Sequence, residues 1–255
     1  MTRGSPMNPA FARRIEEASL RAWPPLESEI LDGWELRSSG GFSKRANSVQ
    51  PYSPSARSLS DKIDRCEAWY EARGLPVVFR LTPFSDAGLD AALQARGYDA
   101  VEPTDVLSAS LVAPSPPAPD VAVRELGLDE WVTSHMAMSD RPPQGAPLLR
   151  GILAGCGLRR FLGALTTDTA SGPVACALAV VEEDLVGLFN MVTAKPHRRR
   201  GYAVALASSL LAWGFAQGAR HAYLQVVRTN LQARALYQKL GFTDAYAYWY
   251  RARPT

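Results

Sequence analysis

Residues 185–203 of this 255-residue chain read LVGLFNMVTAKPHRRRGYA and join a strand pattern to a basic turn. The run from 185 to 192 is rich in β-branched and aromatic side chains and is broken at Lys195-Pro196, which predicts a β-strand. Beyond the turn, apolar residues recur every three or four positions from Ala203 to Gln217, and Gly218 follows, which predicts a helix. The stretch therefore predicts a strand, a basic turn and a helix in succession.

The arginine triplet at 198–200 stands where this helix begins. The first N–H groups of a helix have no partner within it and carry the positive end of its dipole, so together with arginine side chains they suit an anion. Gly201 and the small Ala203 allow the backbone to come close to phosphate oxygens. A basic triplet by itself is more often a solvated charged loop. The preceding strand, the glycine spacing and the following helix favour instead a site for the diphosphate of a nucleotide-like cofactor.

Two motifs together resemble a known family. The pattern Arg198-x-x-Gly201-x-Ala203 after a strand resembles the acyl-CoA pyrophosphate signature of the GNAT superfamily of N-acyltransferases. Downstream, residues 224–227 predict a second strand, and residues 229–242 predict a capped helix that ends at Leu240-Gly241-Phe242. That segment is similar to the family's second cofactor motif at its usual spacing.

The resemblance implies an acyl-CoA site with acetyl-CoA as cosubstrate. A strand end would pair with the pantetheine arm through main-chain hydrogen bonds, as an added strand does. Tyr237, two helical turns after Asn230 and so on the same face, would stand near the thioester sulfur and protonate the departing thiolate as a general acid. Tyr237 alone is more often a core tyrosine with its hydroxyl at the edge. The implied cofactor-binding residues are Met191, Val192 and Thr193 for pantetheine, Arg198, Arg199, Arg200, Gly201, Tyr202 and Ala203 for the pyrophosphate, and Asn230.

The general base is not assigned by the sequence. Many family members carry a glutamate on the strand before the second motif, but Gln225 stands there, and an amide cannot accept a proton at neutral pH. His135 and Asp140 follow the first predicted helix of this half and are alternative bases. Asn190 is a candidate polar substrate contact. The acidic run 182–184 predicts a solvated hairpin turn rather than a catalytic group.

Composition and a proline-rich segment predict two domains. The chain is 47% hydrophobic and 21% charged, as expected of a globular protein with two modest cores. We expect an α/β (α+β) fold with two GNAT-like domains, each a mixed, mainly antiparallel sheet flanked by helices. Residues 1–119 hold 13 basic and 15 acidic residues, whereas 120–255 hold 15 and 10, which suits an anionic cofactor on the second half. The predicted divisions are a first domain at 1–112, a linker at 113–119 and a catalytic domain at 120–255.

The first half repeats the element order of the second without its phosphate turn. Where the basic turn is expected, residues 50–57 contain no glycine and two prolines, so we expect a degenerate GNAT-like domain that walls the substrate cleft or holds the active half. Arg45 and Asn47 could line that cleft, although a polar strand face is the more common role. The predicted elements are strands at 33–37, 45–49, 76–81 and 105–111 and helices at 59–73 and 89–98, the second of which ends at Gly97-Tyr98.

These observations predict an N-acetyltransferase that moves an acetyl or related acyl group to an amine by direct attack in a ternary complex. The alternative that Gln225 favours is a non-catalytic acyl-CoA sensor. A nucleic-acid binder that uses the arginine triplet is a third and weaker interpretation, since the net charge is only +3 and no zinc-ligand spacing is present. The expected acceptor is a small-molecule or peptide amine. No motif in the sequence identifies that amine or indicates the oligomeric state.

The expected compartment is the cytoplasm. Cys66, Cys156 and Cys176 are widely spaced and match no disulfide or metal motif, which suits a reducing environment. The first residues have no apolar core of a signal peptide, and the longest apolar stretch is too short to span a bilayer. No membrane association is therefore expected.

Overall fold

The computed structural model describes residues 8–52, 56–112, 122–168 and 170–254. The predicted linker at 113–119 lies outside these ranges. Across them, no helix combines the length and apolar character needed to cross a bilayer. The elements before residue 112 are α1 (Pro9–Arg21), β1 (Glu27–Leu31), β2 (Trp34–Ser38), β3 (Val49–Pro51), α2 (Leu59–Glu71), β4 (Val78–Leu81), α3 (Leu89–Ala95) and β5 (Asp99–Ser110).

The second half contains the strand, basic turn and helix from which the prediction started. The predicted helix from residue 203 to 217 is observed as α6, one residue earlier at each end, and the acidic run 182–184 spans the end of one strand and the two-residue turn to the next. The elements are β6 (Ala122–Glu125), α4 (Leu128–Met138), α5 (Ala146–Gly155), β7 (Arg159–Thr166), β8 (Ala175–Glu182), β9 (Leu185–Thr193), α6 (Tyr202–Ala216), β10 (His221–Val227), α7 (Leu231–Lys239) and β11 (Thr243–Ala252).

All eleven described strands form one sheet, in the order β1-β2-β3-β4-β11-β5-β10-β9-β8-β7-β6. Two pairs, β3 with β4 and β9 with β10, are parallel, and the other described pairs are antiparallel. The predicted fold class, a mixed and mainly antiparallel sheet flanked by helices, is confirmed. The division of the chain into two domains stays a prediction, because one sheet runs through both halves.

The two halves exchange their last strands. β5, the last strand of the first half, lies between β10 and β11 and pairs with β10 from Ser110 opposite His221 to Thr104 opposite Val227. β11, the last strand of the second half, lies between β4 and β5. Each half therefore completes the sheet of the other, and separating them would break three hydrogen-bonded ladders, those of β4 with β11, β11 with β5 and β5 with β10.

The predicted strand at 45–49 is wrong. Residues 44–46 form a 3₁₀ turn, and pairing with β2 begins only at Val49. The cause is the buried side chain of Asn47, whose Oδ1 accepts hydrogen bonds from the N–H groups of Ser39 (2.7 Å) and Gly41 (2.9 Å). Its Nδ2 donates to the carbonyls of Phe42 (2.8 Å) and Ser43 (2.9 Å). Asn47 thus folds residues 39–46 into a loop instead of a strand.

Helix α1 has no counterpart among the predicted elements. Its start carries clear signals, since the Asn8 side chain accepts a hydrogen bond from the N–H of Ala10 (2.9 Å) and Pro9 is the first helical residue. The helix buries Ile15 and Glu16. The apolar cluster that contains Ile15 also holds Trp131 of α4, so the two halves share a core.

A buried ion pair joins α1 to the sheet. Glu16 and Arg80 are both fully buried and bonded to each other, with Arg80 Nη2 3.1 Å from Glu16 Oε2. Tyr52 (3.2 Å) and Tyr246 (2.6 Å) donate to the same carboxylate. Burial by itself would raise the pKa of Glu16, but Arg80 and these hydrogen bonds hold it below its ordinary value. The pair therefore ties α1, β3, β4 and β11 together.

Removing one partner of this pair leaves the other charge buried alone. We expect Glu16→Gln to lower the free energy of unfolding by about 3–5 kcal/mol in urea titrations at pH 7. Because the pKa of Glu16 is lowered, its contribution is complete above the ordinary value of 4.5 and is lost as the pH falls through the lower folded value. The matched control is Glu17→Gln on the same helix, with an effect below about 0.5 kcal/mol. A Glu16→Gln protein as stable as the Glu17→Gln protein would contradict this assignment.

Candidate active site

Strands β9 and β10 separate part-way along their length. Their parallel pairing runs from Leu185 opposite His221 to Leu188 opposite Leu224 and then ends. At the same level β9 bulges, because its register with β8 shifts and Asn190 adopts a left-handed φ of 50°. The carboxyl ends of the two strands are therefore unpaired with each other and leave a gap in the sheet.

A cavity of about 790 Å³ opens at this gap. Its volume lies within the range of small-molecule and cofactor sites. The walls are the separated strand ends, the turn before α6, and α7. No Asp or Glu is found among the described residues that line it.

The basic turn presents open backbone donors to this cavity. Arg199 and Gly201 have left-handed φ angles of 65° and 81°, and helix α6 begins without a side-chain cap or an acidic residue in its first turn. A Cβ at Gly201 would meet no atom within 4 Å, so glycine serves the backbone conformation rather than space. Arg198 Nε donates to the carbonyl of Thr193 (3.2 Å), which ties the turn to the end of β9. The first N–H groups of α6 are therefore free to bind an anion.

The structure brings nearly all the predicted cofactor residues together. Arg200 is the exception, because it is not among the residues that line the cavity. The residues that do line it are Met191, Val192, Thr193, Arg198, Arg199, Gly201, Tyr202, Ala203 and Asn230.

Helix α7 supplies Asn230 and Tyr237 to the same cavity. Asn230 is the N-cap of the helix, and its Oδ1 accepts a hydrogen bond from the N–H of Ala233 (3.1 Å). Tyr237 is 7% exposed, and burial raises its pKa to about 12. The phenol is therefore protonated throughout the neutral range and can act as a donor.

Gln225 lies on β10 and lines the cavity at the position of the missing glutamate. The hydroxyl of Tyr248 donates to its Oε1 (2.9 Å), whereas its Nε2 is buried and has no hydrogen-bond partner in the described chain. Gln225 is thus held by a neighbour on β11 and has an unused donor.

The alternative bases lie elsewhere. His135 is buried on α4 and stacked on Trp131 with ring centroids 4.8 Å apart. Burial and then the charge of Arg141 lower its pKa to about 4, so His135 is neutral at pH 7. Asp140 is exposed and paired with Lys195 (2.6 Å). Neither His135 nor Asp140 lines the cavity, whereas Asn190, the candidate substrate contact, does.

A second cavity of about 420 Å³ adjoins the first and shares Arg45, Gln225 and Val227 with it. Glu102 is the one carboxylate among its described lining residues, and it is paired with Lys44. Both halves of the chain build this cavity. The first half contributes Gly41, Ser43, Lys44, Arg45, Glu102 and Thr104, and the second contributes Arg141, Gln225, Val227, Tyr248 and Tyr250.

Sequence reasoning missed most of this second cavity. It considered Arg45, but Glu102, Arg141 and Tyr248 carry no local motif and meet only through the exchanged strands and the Asn47 loop. The available signal was weaker and lay in the interruption of the strand pattern at Gly40-Gly41.

The exchanged strand also fixes helix α7. Asp105 on β5 is buried and accepts hydrogen bonds from Arg228 (2.8 Å) and from Arg234. Arg234 lies on α7 and also contacts Asp244 (3.0 Å) on β11. A carboxylate from the first half therefore holds the helix that carries Tyr237.

The family comparison covers almost the whole chain. The model described as "Probable histone acetyltransferase Rv0428c C-terminal" matches residues 10–251. The probable histone acetyltransferase Rv0428c of Mycobacterium tuberculosis is 30% identical over 250 residues, which are 93% of this chain and 72% of that protein. The uncharacterized N-acetyltransferase YobR of Bacillus subtilis is 27% identical over 249 residues, which are 94% of this chain and 98% of that protein.

Solved structures share the fold at low sequence identity. A GCN5-related N-acetyltransferase from Kribbella flavida superposes with a TM-score of 0.69 at 16% identity and covers 96% of each chain. A tandem GNAT protein from the clavulanic acid biosynthesis pathway superposes with a TM-score of 0.59 at 16% identity and covers 78% of this chain and 72% of that one. The chain belongs to the family of the Rv0428c C-terminal region and is a GNAT-family N-acetyltransferase.

Proposed function

We propose that this enzyme moves an acetyl group from acetyl-CoA to the nitrogen of an amine by direct attack in a ternary complex. The observation that carries the proposal is the gap between β9 and β10, which ends at the uncapped start of α6. Two adjoining cavities that share Gln225 give donor and acceptor separate places with one junction. Positioning of this kind supplies much of the rate in a two-substrate reaction.

The first cavity suits the donor. Main-chain groups of Met191, Val192 and Thr193 lie on an unpaired strand end, where an extended pantetheine arm can bind as an added strand. The N–H groups at the start of α6, with Arg198 and Arg199, suit the pyrophosphate. Arg200 keeps a predicted role in this site, as a charge near the turn rather than as a lining residue.

In the proposed reaction the amine nitrogen bonds to the thioester carbonyl carbon, the carbon–sulfur bond breaks, and the sulfur leaves with the bonding pair. Backbone donors at the β9 bulge polarise the carbonyl. Tyr237 donates its hydroxyl proton toward the sulfur. The same apolar surroundings also raise the pKa of the thiol of CoA. The thiolate therefore accepts a proton from the phenol more readily. The nitrogen gives up its own proton to water, since Gln225 cannot accept it, and water returns a proton to the Tyr237 phenolate, which restores the enzyme.

The proposed acceptor is an amine, and its class is inferred from this chain rather than from the names of its relatives. The name of the mycobacterial relative indicates a histone acceptor for that protein. For this chain we propose a small-molecule or peptide amine, with no nucleic acid and no membrane as partner. The expected cytoplasmic compartment is supported by Cys66, Cys156 and Cys176, which are all free and buried.

Tyr237→Phe tests the proton donor. We expect kcat to fall by about 100-fold or more while KM for acetyl-CoA changes less than about threefold, because the ring stays and the proton is lost. The measurement is release of free thiol with an amine panel. The matched control is Tyr98→Phe, which removes a hydroxyl bonded to Glu67 (2.8 Å) outside both cavities. An unchanged kcat in Tyr237→Phe would show that Tyr237 is not the proton donor.

Arg198→Gln and Arg199→Gln test the pyrophosphate site. Each is expected to raise the dissociation constant of acetyl-CoA about tenfold or more, as loss of a charge-assisted hydrogen bond does. Arg200→Gln should have a smaller effect, and Arg220→Gln, beyond the opposite end of α6, should have none. Calorimetric titration provides the constants. Equal losses for all four variants would indicate attraction by net charge instead of a site at the turn.

Tight acetyl-CoA binding without thiol release for any amine would favour the acyl-CoA sensor.

A further inference from the structure

The two cavities contain hydrogen-bond donors that the chain itself leaves unused. Nε and Nη1 of Arg45 and Nε2 of Gln225 are buried and have no partner among the described residues. Both residues line both cavities. A buried donor without a partner is unfavourable, most of all when it carries charge, so such groups are expected to be satisfied by a ligand. All three atoms donate, and the ligand must therefore accept.

Arg45 is held in place by rings rather than by acids. Its guanidinium carbon lies 5.7 Å from the ring centroid of Trp23 and 5.3 Å from that of Phe189. Its backbone belongs to the loop that Asn47 folds through four hydrogen bonds. Aromatic faces orient a guanidinium without neutralising it, so Arg45 keeps its full charge at the junction of the cavities.

A second cation adds to the field of the second cavity. Arg141 lines it, stands 4.6 Å from the ring centroid of Phe42, and forms no ion pair within the described ranges. Arg45 lines the same cavity as Arg141. Desolvation and then the charge of Arg45 lower the pKa of Arg141. Lys44 and Glu102 also line the cavity and neutralise each other. The cavity therefore carries two unbalanced positive charges.

We propose that the second cavity binds a carboxylate of the acceptor, held by Arg45 and Arg141, so that the substrate class is amino acids or other amines that bear a carboxylate. This inference rests on the proposed acetyl transfer. A carboxylate accepts several hydrogen bonds and matches the planar fork of arginine. Its amine would then lie at the junction beside Gln225. Polyamines and lysine-rich peptides would add positive charge to this site and are disfavoured.

The test compares acceptors that differ in one charge. Thiol release from acetyl-CoA is measured with the standard α-amino acids, their α-carboxamides, spermidine and a lysine-rich peptide. For the best acceptor, kcat/KM is expected to be about tenfold or more higher for the acid than for its carboxamide. Arg45→Gln should remove this preference, so that the acid and its carboxamide then give similar kcat/KM values. Arg141→Gln, a change in an exposed loop, should reduce it as well.

The matched control is Arg124→Gln, an exposed arginine paired with Glu130 outside both cavities, which should keep the full preference. A parallel arm replaces acetyl-CoA with succinyl-CoA, whose acyl group carries its own carboxylate. If Arg45→Gln impairs only the succinyl donor, the anion belongs to the donor and the acceptor proposal is overturned.

A second readout does not depend on turnover. The same acids and carboxamides are titrated by calorimetry into wild-type and Arg45→Gln protein saturated with CoA. Binding that requires both the carboxylate and Arg45 supports the proposal, even if no acetyl transfer occurs and the proposed function fails. Acetyl transfer that ignores the carboxylate and Arg45 leaves the function standing and overturns the proposal. Absence of carboxylate-dependent binding and of transfer overturns both.

Discussion

The exchange of β5 and β11 is the constraint on which the rest of the molecule depends. Because β5 lies between β10 and β11, the strand that ends the first half completes the part of the sheet in which β9 and β10 separate. Asp105 on that strand binds Arg228 and Arg234, and so holds the helix that bears Tyr237. The buried Glu16–Arg80 pair fastens α1 beside the returning strand β11, where Tyr246 bonds the same carboxylate. The half without a phosphate turn is therefore a structural part of the active half.

The two halves also divide the site between them. In the second half, β9 and β10 separate, and the gap between them ends at the uncapped start of α6. This arrangement suits a long ligand with an anionic group at one end. The first half gives a loop shaped by Asn47, and that loop sets Arg45 at the junction of the cavities. We propose that the acyl donor is bound mainly by backbone groups, whereas the acceptor is bound by side chains. Loops and side chains vary more readily than strand geometry, which explains how one fold serves different acceptors.

Local signals allowed much of the lining of the first cavity to be predicted. The basic turn and α6 follow from glycine, arginine and apolar spacing within one stretch, whereas Asn230 and Tyr237 were singled out by the resemblance to the second GNAT motif. The strand predicted at 45–49 failed because one buried amide, Asn47, competes successfully with strand pairing, a choice that depends on tertiary context. The second cavity was out of reach, since Arg141, Glu102 and Tyr248 meet only after the strands are exchanged. Spacing along the sequence is sufficient to recognise a motif, but the lining of the second cavity is set by contacts between distant segments.

The central claim is that the gap between β9 and β10 is the acyl-CoA site. A crystal structure of the chain with bound acetyl-CoA tests it most directly. We expect pantetheine alongside residues 191–193, pyrophosphate oxygens on the first N–H groups of α6, and the thioester sulfur within hydrogen-bond reach of the Tyr237 hydroxyl. Acetyl-CoA bound at another surface, or bound here with its sulfur remote from Tyr237, would contradict it.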